Sequence, residues 1–205
     1  IGSTVFYRTP DRQAPHNAYA SAEGIKAGIK KMGYDENYRA SYKGKFLFAE
    51  DGKENTNEDG ANATYVAPGY LINQPWFEYN EQDKKYYRFQ YGGPQIDEML
   101  TEQNEKTNDQ KEKVNEQISY DNIVLQYCKW VQLDKNDYLA FDCHSGGAMK
   151  YITEGKVVDG FWSRTVEDES CGNHDEGVTR YYDSTGKEIV FNQGKTWICM
   201  IQDTK

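Results

Sequence analysis

The feature that most constrains the fold is the alternation of strand patterns and turn signals that begins at Asn122. Short segments of alternating apolar and polar residues follow one another, and clusters of Gly, Asn, Asp or Ser separate them. This alternation is typical of antiparallel sheets, in which short turns join neighbouring strands. The strands predicted in this region are residues 123–133, 138–144, 149–153, 156–164, 178–183, 187–191 and 195–201.

One helix is predicted over residues 21–32. Ile25, Ile29 and Met32 recur at helical spacing, and Gly33 follows where helices commonly end. Residues 98–117 contain so few apolar side chains that they indicate a solvated helix or an irregular insertion. Residues 50–63 are predicted to be a loop, and the other strands of this half are residues 5–8, 45–49, 70–73, 76–80 and 85–91.

These patterns predict an α+β fold, a layered β/β/α-type sandwich with mostly antiparallel sheet and one clear helix near the N-terminus. Residues 1–118 would form a helix-bearing α+β part with two polar insertions, and residues 119–205 a sheet-rich part. Both parts are expected to pack into one compact unit, because 205 residues are enough for a single large domain.

The net charge of −9 is concentrated in three polar segments. Residues 50–60, 97–118 and 165–177 carry charges of −4, −4 and −5, so the rest of the chain is positive by +4. The acidity therefore lies in predicted loops and does not describe the core. Nucleic acid is not an expected partner, because no stripe of Lys and Arg supplies the charge that neutralises phosphates. No run reaches the roughly 18 apolar residues that a membrane-spanning helix needs.

The four cysteines are Cys128, Cys143, Cys171 and Cys199, and none forms a Cys-x-x-Cys pair. Cys128 and Cys199 lie in apolar strand patterns and are expected to be buried thiols. A disulfide between Cys143 and Cys171 is compatible with the sequence but not implied by it. Those two residues, together with the nearby His144 and His174, have a spacing unlike that of known zinc sites. No metal and no cofactor are therefore predicted.

A polar loop that precedes the predicted helix is the candidate functional segment. It contains Arg8, Arg12, His16 and Asn17, and two prolines make it irregular. A stiff loop that leads into a helix can present its side chains rigidly to a ligand. The alternative is structural: Arg12 pairs with Asp11 at the surface, and Asn17 caps the helix.

The arginines point to an anion site, because the planar guanidinium matches the geometry of carboxylates and phosphates. Five of the six lie in or beside patterned segments, namely Arg8, Arg12, Arg88, Arg164 and Arg180. The alternative is that each arginine pairs with a structural acid, for which Asp97 and Asp183 are the obvious candidates.

The predicted ligand-binding residues are Arg8, Arg12, His16, Asn17, Arg88 and Asp97. In this hypothesis the arginines hold the anion, while His16 and Asn17 orient it. No catalytic residue is assigned, because the sequence contains no nucleophile elbow, zinc-protease motif or phosphate loop. If the protein is an enzyme, His16 and Asp97 are the expected acid/base pair.

The four tryptophans allow two interpretations. They are Trp76, Trp130, Trp162 and Trp197, and each lies in or near a strand pattern. Core packing is the usual role of such residues, whereas exposed indole rings could stack on sugars.

Several blocks of the sequence resemble the YerB-like lipoprotein family of Gram-positive bacteria, a domain family of unknown function. The blocks are residues 6–8, 12–19, 87–88, 93–97, 122–124, 155–162, 179–183 and 194–197, and together they span most of the chain. Gln95 stands where the family pattern Gly-x-Pro-His-x-Asp has a histidine, which weakens any mechanism with two histidines. Residues 98–117 and 165–177 look like insertions.

The resemblance implies a mixed α/β layered sandwich and no established activity. It also implies an exported protein, tethered to the membrane by a lipid on a cysteine upstream of this chain. The family has a further N-terminal portion, so this chain is expected to correspond to the C-terminal two thirds of the full-length protein.

The expected function is an extracytoplasmic, envelope-associated module that binds an anionic cell-wall fragment or peptide. Contact with the membrane is expected only through the lipid anchor outside this chain. One alternative is a hydrolase or transferase that acts on envelope glycans or phosphodiesters, and another is a protein-interaction scaffold.

Overall fold

The computed structural model describes residues 2–37, 46–100, 113–164 and 178–204. The chain divides into two compact units, Ile1–Lys43 and Gly44–Lys205. Most of the regular structure is strand, so the fold is mainly β, with two short helices in the described part of the chain. Residues 46–118 contribute more strands than the sequence predicted, because several of them are only two residues long and leave little periodicity in the sequence. None of the described helices is long and apolar enough to span a membrane.

The N-terminal unit confirms the predicted helix. Its elements are α1 (Gly2–Val5), β1 (Phe6–Arg8), β2 (Ala18–Ala20) and α2 (Ala22–Met32). The strands β1 and β2 are antiparallel, with Tyr7 opposite Tyr19. The hydroxyl of Ser21 caps α2 by accepting the N–H of Gly24 at 2.9 Å. Gly33, at φ 67°, ends the helix, because a left-handed residue there lets its N–H bond back to the last turn.

The C-terminal unit contains the remaining strands. They are β3 (Leu47–Phe48), β4 (Ala61–Asn62), β5 (Tyr65–Val66), β6 (Trp76–Asn80), β7 (Lys85–Gln90), β8 (Gly93–Pro94), β9 (Ile96–Leu100), β10 (Lys113–Gln117), β11 (Ser119–Tyr120), β12 (Asn122–Cys128), β13 (Trp130–Gln132), β14 (Leu139–Phe141), β15 (Gly146–Thr153), β16 (Lys156–Ser163), β17 (Arg180–Asp183), β18 (Val190–Phe191) and β19 (Thr196–Gln202).

Two larger sheets organise this unit. One has the strand order β17-β16-β15-β12-β19, with β4 beside β16, and the other has the order β11-β7-β6-β5, with β8 beside β7. The pairing is antiparallel except between β12 and β19, which run parallel. Three small pairs, β9–β10, β13–β14 and β3–β18, complete the described strands, and β3–β18 is also parallel. The sheet that contains β12 and β19 is therefore mixed.

The core consists of two clusters on opposite faces of β12. The first combines residues of both sheets: Ala63, Val66, Phe77, Tyr86, Ile123, Leu125, Ile152, Cys199 and Ile201. The second consists of Val124, Cys128, Met149, Tyr151, Trp162, Tyr181, Ile189 and Phe191. Successive residues of a strand point to opposite faces, so Ile123 and Val124 enter different clusters. A strand buried on both faces has a continuous apolar run, which explains the sequence of β12.

Two local predictions were wrong. Residues 71–73 form a turn instead of a strand, and Leu71 and Ile72 are 78% and 89% exposed. Gly69 and Gln74 both have positive φ, and such residues interrupt an extended chain. The segment 98–117 was predicted to be helical or irregular, but its two ends pair as β9 and β10. Residues 101–112 lie outside the described part of the chain.

Candidate functional site

The polar loop of the N-terminal unit joins β1 to β2 and is held by its own side chains. The guanidinium of Arg8 donates to Oδ1 of Asn17, and Nδ2 of Asn17 donates to the carbonyl of Thr9 at 3.0 Å. Asn17 therefore closes the loop and does not cap α2. Arg12 lies 3.7 Å from Asp11 in an exposed ion pair, which agrees with the structural alternative. His16 is exposed, and its backbone N–H donates to the carbonyl of Gln13.

Arg88 lies in the middle of β7 and points into the core. Its side chain faces the same side of the sheet as that of Tyr86, two residues earlier, and Arg88 is only 5% exposed. The carbon of its guanidinium lies 4.6 Å from the centre of the Trp197 ring, a distance typical of a cation–π contact. Its Nε is buried and has no hydrogen-bond partner. Within the described part of the chain, no carboxylate forms an ion pair with it.

The Trp197 ring beside this guanidinium packs with two further aromatic rings. Phe77 is directly opposite Arg88 on β6, and Trp197 comes from β19 of the other sheet. The rings of Phe77, Tyr120 and Trp197 contact one another with centroid separations of 5.1–6.4 Å. We call Phe77, Tyr120 and Trp197 the aromatic cage. These side chains are apolar or phenolic, and they supply no carboxylate to Arg88.

Asp97 lies near the same cage but at the surface. It is an exposed residue of β9, opposite Glu116 of β10. The pKa of Tyr120 is raised, chiefly by burial. The positive charge of Arg88 opposes this shift, and the carboxylate of Asp97 adds to it. Arg88 and Asp97 therefore both act on one phenol, although no ion pair joins them in the described structure.

The comparisons with known proteins identify the family. A family model described as "Protein of unknown function (DUF3048) C-terminal domain" matches residues 65–198. The chain belongs to this family. In a search of solved structures, the crystal structure of YerB protein from Bacillus subtilis matches with a TM-score of 0.62 and 21% sequence identity, which shows a common fold. The alignment covers 96% of this chain and 56% of the YerB chain. No curated protein matches.

The DUF3048 match separates the predicted site residues into two groups. Arg88 and Asp97 lie inside the matched segment, in the C-terminal unit. The loop residues lie outside it, in the N-terminal unit, and they are Arg8, Arg12, His16 and Asn17. The structure brings Arg8 together with Asn17, and the charges of Arg88 and Asp97 both act on the pKa of Tyr120. A single site built from all six residues stays a prediction.

Sequence reasoning missed the residues that make the environment of Arg88 unusual. The sequence allowed Trp197 to pack in the core or to stack on sugars, and it did not single out Tyr120. Gln95 was noted only as a departure from the family pattern, yet its buried Oε1 has no hydrogen-bond partner in the structure. No local signal links these residues to Arg88, because Trp197 is 109 positions away along the chain.

Another arginine of this domain follows the structural alternative. The guanidinium of Arg180 donates to Oε1 of Glu188 at 2.8 Å in a half-buried ion pair. Asp183, which the sequence suggested as an arginine partner, instead accepts hydrogen bonds from Thr185 and Lys187 in a turn. These hydrogen bonds lower the pKa of Asp183, and the bond from the Thr185 side chain has the largest effect.

Two described cavities lie elsewhere in the C-terminal unit. One of about 670 Å³ is lined by Lys150, Asp159, Lys187 and residues around them, and one of about 220 Å³ is rich in carboxylates such as Glu54 and Asp121. Neither is lined by a predicted ligand-binding residue. Within the described residues, no group of His, Cys, Asp and Glu side chains could hold a metal ion.

An exposed aromatic groove accompanies the turn at residues 71–73. Trp76 stacks on Phe89 with centroids 4.9 Å apart, and it lines a cavity of about 440 Å³ together with Tyr65 and Tyr70. Trp162, in contrast, is 1% exposed and donates to the carbonyl of Tyr127. Trp162 is therefore a core residue, whereas Trp76 is half-buried beside a cavity, and stacking on sugars stays a prediction.

The buried cysteines of this domain predict a selective alkylation pattern. At pH 8, iodoacetamide is expected to modify Cys143 at least about tenfold faster than Cys128 or Cys199, because only thiolates react. Burial raises the pKa of Cys128, and it raises that of Cys199 to about 12, so both stay protonated. Cys143 is a half-buried free thiol. Timed quenching and peptide mass spectrometry measure the rates.

Cys171 and His174 lie outside the described residues. A Cys171→Ser variant is therefore the background for that experiment, so that only Cys128, Cys143 and Cys199 can react. In urea the three thiols should react alike, which serves as the control. Equal rates in the folded protein would contradict the burial of Cys128 and Cys199.

Proposed function

We propose that this protein is an extracytoplasmic, envelope-associated binding module whose DUF3048 domain holds an anionic ligand, such as a cell-wall fragment or a peptide. The full-length form would be a lipoprotein anchored in the membrane. The family resemblance supports this location. Within the C-terminal unit we further propose a layered sandwich, because the first core cluster combines side chains from both larger sheets.

The observation that carries the proposed anion binding is the state of Arg88. A buried guanidinium is normally paired, because transfer of an unpaired charge out of water costs several kcal/mol, on the order of 3–5 kcal/mol when one partner of a buried pair is removed. Arg88 is 95% buried, contacts aromatic rings and has an unsatisfied Nε. A bound anion would supply the missing charge and the missing acceptor.

The cage also explains how such an arginine would be ready for a ligand. The contact with Trp197 holds the guanidinium plane in one orientation, so little freedom would be lost on binding. The low polarity of the cage would strengthen the attraction between the guanidinium and an anion. Asp97 is an exposed carboxylate whose charge acts on Tyr120, and it would favour ligands that place a donor or a cation towards it.

A comparison of Arg88→Met with Arg180→Met tests this proposal. Acetate, sulfate or phosphate at constant ionic strength should raise the melting temperature of the wild type. A bound anion at a concentration of 100 times its Kd should add about 2.7 kcal/mol to the free energy of unfolding. Arg88→Met should lose this response. In buffer it should be as stable as the wild type or more stable, because a buried unpaired charge is replaced by an apolar group.

Arg180→Met is the matched control, because it removes an arginine that already has an acidic partner. It should lower stability and keep the anion response. If Arg88→Met keeps the full response, the proposed site is wrong. An Arg8→Ala variant then decides whether the N-terminal loop contributes: an unchanged response restricts the site to the C-terminal unit.

The enzymatic alternative needs a separate argument. A hydrolase or transferase would use His16 and Asp97 as acid and base, and these residues lie in different units. The scaffold alternative would use exposed apolar side chains such as Leu71 and Ile72. Both alternatives stay predictions, whereas the unpaired Arg88 specifically favours anion binding.

A further inference from the structure

Two buried polar atoms without partners belong to residues that a backbone hydrogen bond joins at the edge of β7. The described structure has three such side-chain atoms: Nε of Arg88, Oε1 of Gln95 and Oγ1 of Thr9. Thr9 belongs to the N-terminal unit, and the other two belong to the C-terminal unit. Buried polar groups almost always have partners, so a neighbouring donor and acceptor that both lack one call for an explanation.

The strand register places these two side chains on the same face. Pro94 is opposite Phe89 in the β7–β8 pair, so the next residue, Gln95, comes opposite Arg88. The backbone N–H of Gln95 donates to the carbonyl of Arg88 at 3.0 Å, which confirms the alignment. Residues directly opposite in an antiparallel pair point to the same side, with Cβ atoms about 4.5–5.5 Å apart.

The two groups are complementary to a ligand but do not satisfy each other. Arg88 offers a buried N–H donor, and Gln95 offers a buried carbonyl acceptor, yet they form no hydrogen bond. A group that fits between them must accept at one end and donate at the other. This requirement is more specific than negative charge alone.

We infer that Arg88 and Gln95 together bind the C-terminal residue of a peptide or another N-acyl amino acid. The carboxylate of the ligand accepts from the guanidinium of Arg88, and the amide N–H of the same residue donates to Oε1 of Gln95. This inference rests on the proposed anion-binding function and adds the chemical class of the ligand.

Charge balance favours this class over a phosphate. Arg88 is the one charged residue among the buried polar residues of the described structure, so the buried part of the site offers one positive charge to a ligand. A peptide carboxylate carries one negative charge, which Arg88 neutralises. A phosphomonoester carries about −1.5 to −2 near pH 7, which would leave a buried excess of negative charge.

The position of Gln95 also provides a route to the site. Gln95 is half-buried, while its neighbours Pro94, Ile96 and Asp97 are exposed. The ligand would therefore enter from this edge of the sheet, with its carboxylate inward and the rest of the peptide towards solvent.

Isothermal titration calorimetry on the 205-residue chain with N-acetylglycine and acetoxyacetate tests the inference. The two probes have the same charge and nearly the same shape, but an ester oxygen replaces the N–H in acetoxyacetate. The wild type should bind N-acetylglycine about tenfold more tightly, because acetoxyacetate leaves Oε1 of Gln95 without a donor. Gln95→Met should reduce this ratio to near one while retaining acetoxyacetate binding, and Arg88→Met should bind neither probe.

The possible outcomes separate this inference from the proposed function. Equal binding of both probes to the wild type would overturn the role of Gln95 and leave anion binding by Arg88 intact. It would also indicate that an internal water, not a ligand, satisfies the two atoms. Binding of acetate or sulfate without binding of N-acetylglycine would exclude the peptide class alone. If no anion binds at all, the proposed function fails as well. The wild-type comparison remains decisive even if Gln95→Met does not fold.

Discussion

Replacement of Asn192 by alanine is expected to lower the free energy of unfolding by about 3–5 kcal/mol, because it removes the centre of a buried polar network. Nδ2 of Asn192 donates to the carbonyl of Asn55 at 3.0 Å and to Oγ1 of Thr153 at 2.9 Å. Oδ1 accepts the backbone N–H of Asn55 at 2.6 Å. The substitution breaks all three bonds at once.

The neighbouring side chains make this loss hard to repair. Asn192 is 5% exposed, and the hydroxyl of Tyr151 both accepts from its backbone N–H and donates to Oδ1 of Asn122. Asn122 in turn donates to the carbonyl of Asn192 at 2.8 Å. Members of such a network depend on one another, so groups left unpaired at one point weaken the others.

Urea unfolding followed by tryptophan fluorescence measures the effect. Asn136→Ala is the matched control, because Asn136 lies in an exposed turn and its side chain bonds only to Asp134 among the described residues. It should change stability by less than about 0.5 kcal/mol. A loss of less than 1 kcal/mol in Asn192→Ala would mean that water replaces the missing side chain and that the network contributes little.

Substitution of Gly160 by alanine is expected to cost about 3 kcal/mol or more, because a single added carbon clashes with a neighbouring strand. A Cβ at Gly160 would lie 2.0 Å from the carbonyl oxygen of Tyr182 and 3.1 Å from Cα of Asp183. Both atoms belong to the backbone of β17, so they can move only if the pairing of β16 with β17 changes. Such a change would expose Trp162 and Tyr181, which are both buried.

Thermal unfolding should show a decrease in melting temperature of about 6–12 °C for Gly160→Ala, since about 1 kcal/mol corresponds to 2–4 °C in a protein of this size. Gly93→Ala is the control, because a Cβ there meets no atom within 4 Å. It should leave the melting temperature nearly unchanged. If both variants melt alike, the close approach of the two strands does not constrain this position.

Residue types alone predicted which arginines could bind an anion, but not how each arginine is packed. The prediction of an anion site named Arg88 together with Arg8 and Arg12, because these arginines lie in or beside patterned segments. The prediction could not say that Arg88 is buried or unpaired, since both properties depend on Trp197 and Tyr120 from other parts of the chain. The same sequence rule also selected Arg12, which forms an ordinary exposed ion pair. Which arginine lacks an acidic partner is a property of the packed structure.

Local physics explains the parts of the fold that the sequence determined by itself. The caps of α2 lie within a few residues of the turns they stabilise, and the hairpins β6–β7 and β15–β16 join neighbouring segments. The apolar pattern after Asn122 likewise predicted the strand that forms β12. The tertiary structure alone decided that β12 runs parallel to β19 and that residues 98–100 pair with 113–115. It likewise placed Arg88 opposite Gln95 with neither side chain satisfied. These arrangements join segments far apart in the chain, and their free energy comes from packing that no short window of sequence contains.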